Sequence, residues 1–290
     1  MTTVLVVNDG VALAGTLALP PTDTQCRGGV VMIGGSGPAD RDNDWLFPPI
    51  REHLVNAGIA VFSYDKRGVG ESTGSWLTST LDDLAADCAA ALTFLRRQLP
   101  GPANAVGLFG HSEGAWVVLR AAADRDDVPF VVTNSGPATT PAWQNRYALE
   151  TAARTGNVSE ADVRMALTTY DRLVEAGRRD ASFTEVAQLL ATPGGHILTS
   201  QYWSDLDERL WEFEKRKQDH NPIPDVLGLR CPQLALFGAA DQLVAVPQSV
   251  QLFAEAACEP GRHQRFDLTV AVFPGADHRI RIADGAGFAT

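Results

Sequence analysis

Gly110-His111-Ser112-Glu113-Gly114 is the stretch on which the fold turns. It has the form G-x-S-x-G and lies between an apolar run, Ala105 to Phe109, and a helix-compatible run, Ala115 to Ala123. Strand, sharp turn and helix in that order lift one serine hydroxyl above the end of a sheet, where a base can reach it. Glycine suits the flanking positions because the turn strains the backbone and brings strand and helix too close for side chains. A Gly-rich turn with an incidental serine has the same pattern, so the rest of the chain has to decide.

The chain has 290 residues, of which 45% are hydrophobic, enough for a sizeable core in one large domain or two small ones. Its net charge of -11 argues against nucleic acid or an anionic membrane as partner, since both are bound through clustered Lys and Arg. A small-molecule substrate is expected instead, with the protein a monomer or homodimer. The first residues, Met1 to Asp9, hold no basic region and too short an apolar run for a signal peptide or a membrane span, which makes a cytoplasmic location the expectation. Cys26, Cys88, Cys231 and Cys258 are scattered, with no C-x-x-C pair, and read as reduced packing residues. No histidine or cysteine falls at metal-ligand spacing, and no nucleotide-binding fingerprint is present, so neither metal nor cofactor is expected.

Outward from the elbow, strands and helices alternate. Val4 to Val7 and Val11 to Leu19 read as a hairpin about Asn8-Asp9-Gly10. Gly29 to Ile33 is a buried-strand pattern stopped by Gly34-Gly35-Ser36-Gly37-Pro38, Trp45 to Asn56 can be helical, and Ile59 to Tyr64 is the next strand. From Thr80 to Leu99 the pattern predicts a long helix. Thr80 and Asp83 form a capping box, Leu81, Leu84, Ala85, Cys88, Leu92 and Leu95 share one face, and Pro100-Gly101 stops it. Phe130 to Thr133, Gln233 to Phe237 and Phe266 to Phe273 complete the strands, with a helix over Val246 to Cys258. The class is α/β, with a mainly parallel central sheet flanked by helices. A closing helix over the sheet is not evident in residues 279–290.

Between residues 136 and 222 only helices are predicted: Trp143 to Arg154, Ser159 to Arg178, Ser182 to Ala191 and Asp205 to Gln218. Residues 136–222 therefore read as an inserted all-helical cap, and residues 1–135 with 223–290 as the core. The insert is rich in aromatic residues. Trp143, Tyr147, Tyr202 and Trp203 are the candidates for an apolar pocket wall, against the plainer reading in which Tyr170, Phe183, Trp211, Phe213 and the rest pack a small helical core.

A serine needs a base to take its proton and a third group to orient that base. Parallel strands deliver all three to one edge of a sheet, and strand-end loops here carry Ser112, Asp241 and His278 in that order. Over most of its length the chain resembles the α/β-hydrolase fold serine hydrolases. The resemblance rests on the elbow, Phe237-Gly238-Ala239-Ala240-Asp241, Pro274-Gly275-Ala276-Asp277-His278, Tyr64 to Ser72 and Gly34 to Pro38; the run from Gly34 to Asp42 is similar to bacterial acyl esterases and their peptidase-like relatives.

The resemblance implies Ser112 as nucleophile, His278 as general base and acid, Asp241 as its orienting acid, and an oxyanion hole from the backbone N–H groups of Ser36 and Glu113. It also implies a carboxylic ester hydrolase acting through an acyl-enzyme, on a moderately bulky hydrophobic substrate if the cap is aromatic. Thioester, amide or peptide cleavage and acyl transfer use the same triad. A non-catalytic binding protein would not need all three residues, and relatives with an aspartate nucleophile are disfavoured by Ser112. Asp277, next to His278, competes with Asp241 for the acid but is poorly placed to reach the far ring nitrogen. His111 reads as structural, pointing away from the nucleophile, and His53, His196, His220 and His263 as solvated or locally packed. Asp40 to Asp44 reads as a salt-bridged loop bracing the oxyanion segment, with Arg41 or Asp42 at the pocket rim as the alternative.

Overall fold

A computed structural model of the protein describes residues 1–99 and 104–282. The Pro100-Gly101 stop and the tail over residues 283–290, including most of the stretch where no closing helix was evident, lie outside the described residues. In chain order the elements are β1 (Thr2–Asn8), β2 (Val11–Ala18), β3 (Gly28–Ile33), α1 (Phe47–Asn56), β4 (Ile59–Tyr64), a 3-10 turn (Trp76–Thr78), α2 (Leu81–Gln98), β5 (Val106–His111), α3 (Glu113–Ala122) and β6 (Val131–Asn134). Then come α4 (Pro141–Thr155), α5 (Glu160–Arg178), α6 (Phe183–Leu190), α7 (Pro193–Gln201), α8 (Glu208–Lys217), α9 (Ile223–Leu227), β7 (Gln233–Gly238), α10 (Val246–Cys258) and β8 (Leu268–Phe273).

All eight strands form one sheet in the order β1-β2-β4-β3-β5-β6-β7-β8. The hairpin β1/β2 joins antiparallel to β4 through Gly15 opposite Tyr64, and every pairing from β4 to β8 is parallel. Strands buried on both faces divide their side chains between two cores. Val31, Ile33, Phe62 and Leu108 face the larger one, with α2, α3 and α10. Val30, Met32, Val61 and Phe109 face the smaller, where Phe47 of α1 meets Phe109 edge-on at 6.0 Å. The α2 capping box is present, Thr80 and Asp83 each accepting the other's backbone N–H.

The helices between β6 and β7 have a third core of their own, built on Leu149, Val163, Tyr170, Leu173 and Trp211. Five of them begin at a side-chain cap: Thr140, Ser159, Ser182, Thr192 and Asp207 each accept a backbone N–H from three residues on. Each such cap stabilises its helix by about 1 kcal/mol. Two helices were not expected from the sequence. α7 was hidden by Gly194-Gly195, and these glycines serve contact: a Cβ on Gly194 would stand 2.3 Å from Thr169 Oγ1, so α7 packs closely on α5 because they have none. α9 was hidden by Pro222 and Pro224, which lie in the first turn, where a missing N–H costs nothing. Among the described residues no helix is long and apolar enough to cross a membrane.

Candidate active site

The four parallel strands β5, β6, β7 and β8 are contiguous, so the loops leaving their C-terminal ends share one edge of the sheet. Ser112 follows β5 with φ 54° and ψ -121°, a strained conformation for a residue with a side chain, and α3 starts at the next residue. The Ser112 N–H is held by the carbonyl of Asn134 at the end of β6 (2.9 Å). The elbow's glycines are sterically required: a Cβ on Gly110 would lie 2.2 Å from the Gly114 carbonyl oxygen, and one on Gly114 2.5 Å from that of Ile33.

Asp241 leaves the end of β7 and is 6% exposed. Its Oδ1 accepts the N–H groups of Leu243 (2.8 Å) and Val244 (3.0 Å), and its Oδ2 lies 2.8 Å from Nδ1 of His278, in the loop after β8. Asp277 is committed elsewhere. Its Oδ1 accepts the backbone N–H groups of Arg279 (2.8 Å) and Arg281 (3.0 Å), and its Oδ2 faces the Arg281 guanidinium. Burial raises its pKa, but these hydrogen bonds and the Arg281 charge outweigh it, so the carboxyl is held below its usual range.

His111 departs from expectation. It is buried with Nδ1 2.8 Å from Asn134 Oδ1, but its ring stands 4.9 Å from the His278 ring and borders the same cavity. It is thus a wall of the site. Burial, then the neighbouring His278 charge, push its pKa down to about 3, so its ring is neutral at pH 7.

Ser112, His278, Ser36 and Gly35 line one cavity of about 860 Å³. The loop after β3 passes against Ser112, for a Cβ on Gly35 would be 3.3 Å from the Ser112 Cβ. Asn43 Oδ1 accepts the Gly35 N–H (3.2 Å), and Lys66 Nζ donates to the Gly35 carbonyl (2.6 Å). The loop from Asp40 to Asp44 braces this segment. Arg41 forms three hydrogen bonds with Asp65, one from its backbone N–H (2.7 Å) and two from its guanidinium (3.0 and 2.6 Å), and one with Glu71 (2.7 Å), while Asp42 pairs with Arg51 (2.7 Å). Neither Arg41 nor Asp42 lines the cavity; Asn43 and Asp44 do.

The expected aromatic wall is largely absent. Tyr202 lines the cavity, but Trp143, Tyr147 and Trp203 do not. Trp143 is 42% exposed and stacks on Tyr147 at 6.1 Å, and Trp203 packs on Tyr170 and Tyr202 at the helical core. In their place are polar side chains that the sequence reading did not select: Gln144 and Asn145 from α4, Gln242, Asn43, Arg279 and Arg281. No local motif marks them, because they meet only through tertiary packing. These polar groups share the cavity wall with Pro38, Ala39, Tyr202 and Leu243, so the lining is mixed.

Residues 42–189, just over half of the chain, match the family described as serine aminopeptidase, S33. No curated protein matches the sequence. Solved structures of similar fold include the esterase Pf2001 from Pyrococcus furiosus, 20% identical over 94% of this chain and 81% of that one, with a TM-score of 0.58. Est1E from Butyrivibrio proteoclasticus, solved with ferulic acid bound, is 18% identical over 95% and 91%, with a TM-score of 0.60. A proline iminopeptidase from Mycobacterium smegmatis is 17% identical over 96% and 92%, with a TM-score of 0.61. At these identities the likeness is one of fold.

Proposed function

The chain belongs to the serine aminopeptidase S33 family of α/β hydrolases, and from that membership we propose that it hydrolyses a small carboxylic ester through an acyl-enzyme on Ser112. The observation that carries the reading is the 2.8 Å contact of His278 Nδ1 with Asp241 Oδ2 beside a strained Ser112 at the same cavity. With Nδ1–H pointing to Asp241, the other ring nitrogen is left as the base that takes the Ser112 proton. Ser112 Oγ then attacks the substrate carbonyl, and His278 returns the proton to the leaving alcohol. Water, deprotonated by His278, releases the acid. The N–H groups of Glu113 and Ser36 hold the oxyanion in both halves of the reaction. Residues 136–222 act as a cap, contributing Gln144, Asn145 and Tyr202 to the wall.

Aminopeptidase action ranks second. A free substrate amine calls for net negative charge at the site, and the two carboxylates among the described lining residues, Asp44 and Asp277, lie beside Arg279 and Arg281, whose positive charge opposes an ammonium group.

The test is labelling with a fluorophosphonate followed by peptide mapping, together with turnover of p-nitrophenyl acetate and an amino-acid p-nitroanilide. Ser112 is expected to carry the label. Ser112→Ala should lose at least about a thousandfold in ester turnover, with its circular dichroism unchanged. Retained ester turnover in that variant, or faster cleavage of the anilide than of the ester by the wild type, overturns the reading.

A further inference from the structure

Two arginines follow the base directly in space and nearly in sequence. Arg279 and Arg281 both line the cavity that holds Ser112 and His278, and both guanidiniums lie on the indole of Trp45, at 4.9 and 4.2 Å from its centroid. In a protein of net charge -11, two cations gathered on one ring beside a nucleophile are a local exception to the overall field.

Among the described residues, their hydrogen bonds use only part of each fork. Arg279 engages Asp44 through Nη2 alone (2.6 Å), and Arg281 engages Asp277 through Nε (3.3 Å) and Nη2 (3.2 Å). A guanidinium has five N–H donors, so both retain capacity for a planar acceptor. The two carboxylates do not cancel the site equally. Asp277 is occupied by the backbone of its own loop, and Asp44 is mostly exposed, in a pair of the weakly held kind that an incoming carboxylate can replace.

A buried amide borders the same cavity. Asn43 is 6% exposed, lines the cavity, and has its amide orientation fixed by accepting the Gly35 N–H. Its Nδ2 is buried without a hydrogen-bond partner among the described residues, an unsatisfied donor inside the loop that carries Asp44. The loop that presents it is left-handed at two successive residues with side chains, Asn43 at φ 45° and Asp44 at φ 60°, as strained segments at binding sites often are.

We propose that Arg279 and Arg281 form a carboxylate-binding subsite, and that the substrate is an ester bearing a free carboxylate, such as a half-ester of a short dicarboxylic acid. The proposal rests on the hydrolase reading above. Arg279 and Arg281 would hold the carboxylate, and the ester carbonyl would lie at Ser112.

The probes are mono-p-nitrophenyl glutarate and its neutral counterpart, p-nitrophenyl methyl glutarate. The wild type is expected to prefer the anionic ester at least about tenfold in kcat/KM, chiefly through KM, with the preference falling as salt is added. Arg279→Gln and Arg281→Gln should each bring the anionic-to-neutral ratio towards one; the ratio corrects for any general loss caused by disturbing the His278 loop. Free glutarate should inhibit neutral-ester turnover competitively, and glutaramide should not. Equal use of the two esters by the wild type, or a ratio unchanged in both variants, while fluorophosphonate still labels Ser112, overturns the subsite and leaves the hydrolase reading standing. Absence of both labelling and cleavage overturns the hydrolase reading itself, and the subsite with it.

Discussion

Lys217 Nζ lies 2.6 Å from Glu113 Oε2, with both side chains almost wholly buried. One belongs to the last turn of α8, in the helical insert, and the other opens α3, immediately after Ser112. Lys66 takes the second oxygen of Glu113 (2.8 Å) and also the Gly35 carbonyl, while Lys217 is shared with Glu214 (2.8 Å). Asn145 Nδ2 donates to Glu214 (3.3 Å), and Tyr202 donates to Asn145 Oδ1 (2.9 Å). A polar chain thus runs from the cavity wall through the insert to both segments proposed as oxyanion donors. Burial would raise the Glu113 pKa, but Lys217 and Lys66 outweigh it and hold the carboxyl down to about 2.

Removing Lys217 should therefore be severe. Lys217→Met leaves Glu214 buried without its cation and Glu113 with one partner, a break expected to cost about 3–5 kcal/mol. Urea denaturation of the variant measures this. Lys217→Met combined with Glu214→Met removes the orphaned charge and should recover a large part of the loss. A loss under about 1 kcal/mol in the single variant would mean that the pair is not held as described.

Asp241→Asn separates orientation from folding. The amide oxygen can still accept the Leu243 and Val244 N–H groups that Oδ1 accepts now, so the loop should keep its shape. The amide NH₂ then faces Nδ1 of His278, which must accept rather than donate. That places the ring's proton on the nitrogen needed as base. Turnover of a p-nitrophenyl ester should fall about 10⁴-fold with stability within about 1 kcal/mol of wild type. Asp277→Asn, by contrast, should act through the loop. If it proved the more damaging to turnover of a stably folded protein, the roles of the two aspartates would be reversed.

The architecture could be read from the sequence because its signals are local. The Ile59–Tyr64 strand and the Val246–Cys258 helix match in both bounds, and the Thr80/Asp83 box begins α2. The residues brought to the sheet edge were legible for a topological reason: G-x-S-x-G marks a turn, and parallel strands direct their ends to one side. Asn43, Arg279, Arg281 and Lys217 were not legible. Arg279 and Arg281 gain their meaning from Trp45 and Lys217 from Glu113, all far along the chain, and Asn43 from the folded shape of its loop, and no spacing rule anticipates such contacts. The aromatic residues misled for the complementary reason. Composition indicates that a helical unit contains Trp and Tyr, but Trp203, in the loop between α7 and α8, packs against the helical core, and Trp143 on α4 is turned to the surface.

Stability should fall on mild acidification because of His111. Its folded pKa of about 3 is below the ordinary 6.5, so between these values the unfolded chain binds the extra proton and stability rises with pH. The contribution is complete above about pH 6.5 and is lost as pH falls towards 3. Passing from pH 6 to pH 5 should cost about 1 kcal/mol from this group. His220, also pushed down by burial, adds in the same direction. The depressed Glu113 acts in a lower window, its contribution present above about 4.5 and lost towards 2. Urea titrations at pH 6 and 5 on the wild type and His111→Asn provide the check: the variant should lose at least half of the slope, and an unaltered slope would assign it to other groups.

Gly114→Ala tests whether the fit of the elbow against the β3 loop governs turnover as well as folding. The added methyl would stand 2.5 Å from the Ile33 carbonyl oxygen and 2.6 Å from that of Gly34, and backbone cannot swing aside as a side-chain tip can. The strand end must move by several tenths of an ångström, taking with it Gly35 and Ser36, the segment proposed to supply one oxyanion donor. Overpacking of this kind costs about 1–3 kcal/mol. Displacing a donor by such a distance weakens catalysis by up to about 10²-fold. The expected variant is therefore folded and somewhat less stable, yet slower by a factor well beyond any unfolded fraction when assayed far below its melting temperature. Gly261→Ala serves as the control, because a Cβ there meets nothing within 4 Å. A Gly114→Ala enzyme with normal kcat and reduced stability would show that the loop tolerates the shift, and would separate the packing of the elbow from the alignment of the oxyanion hole.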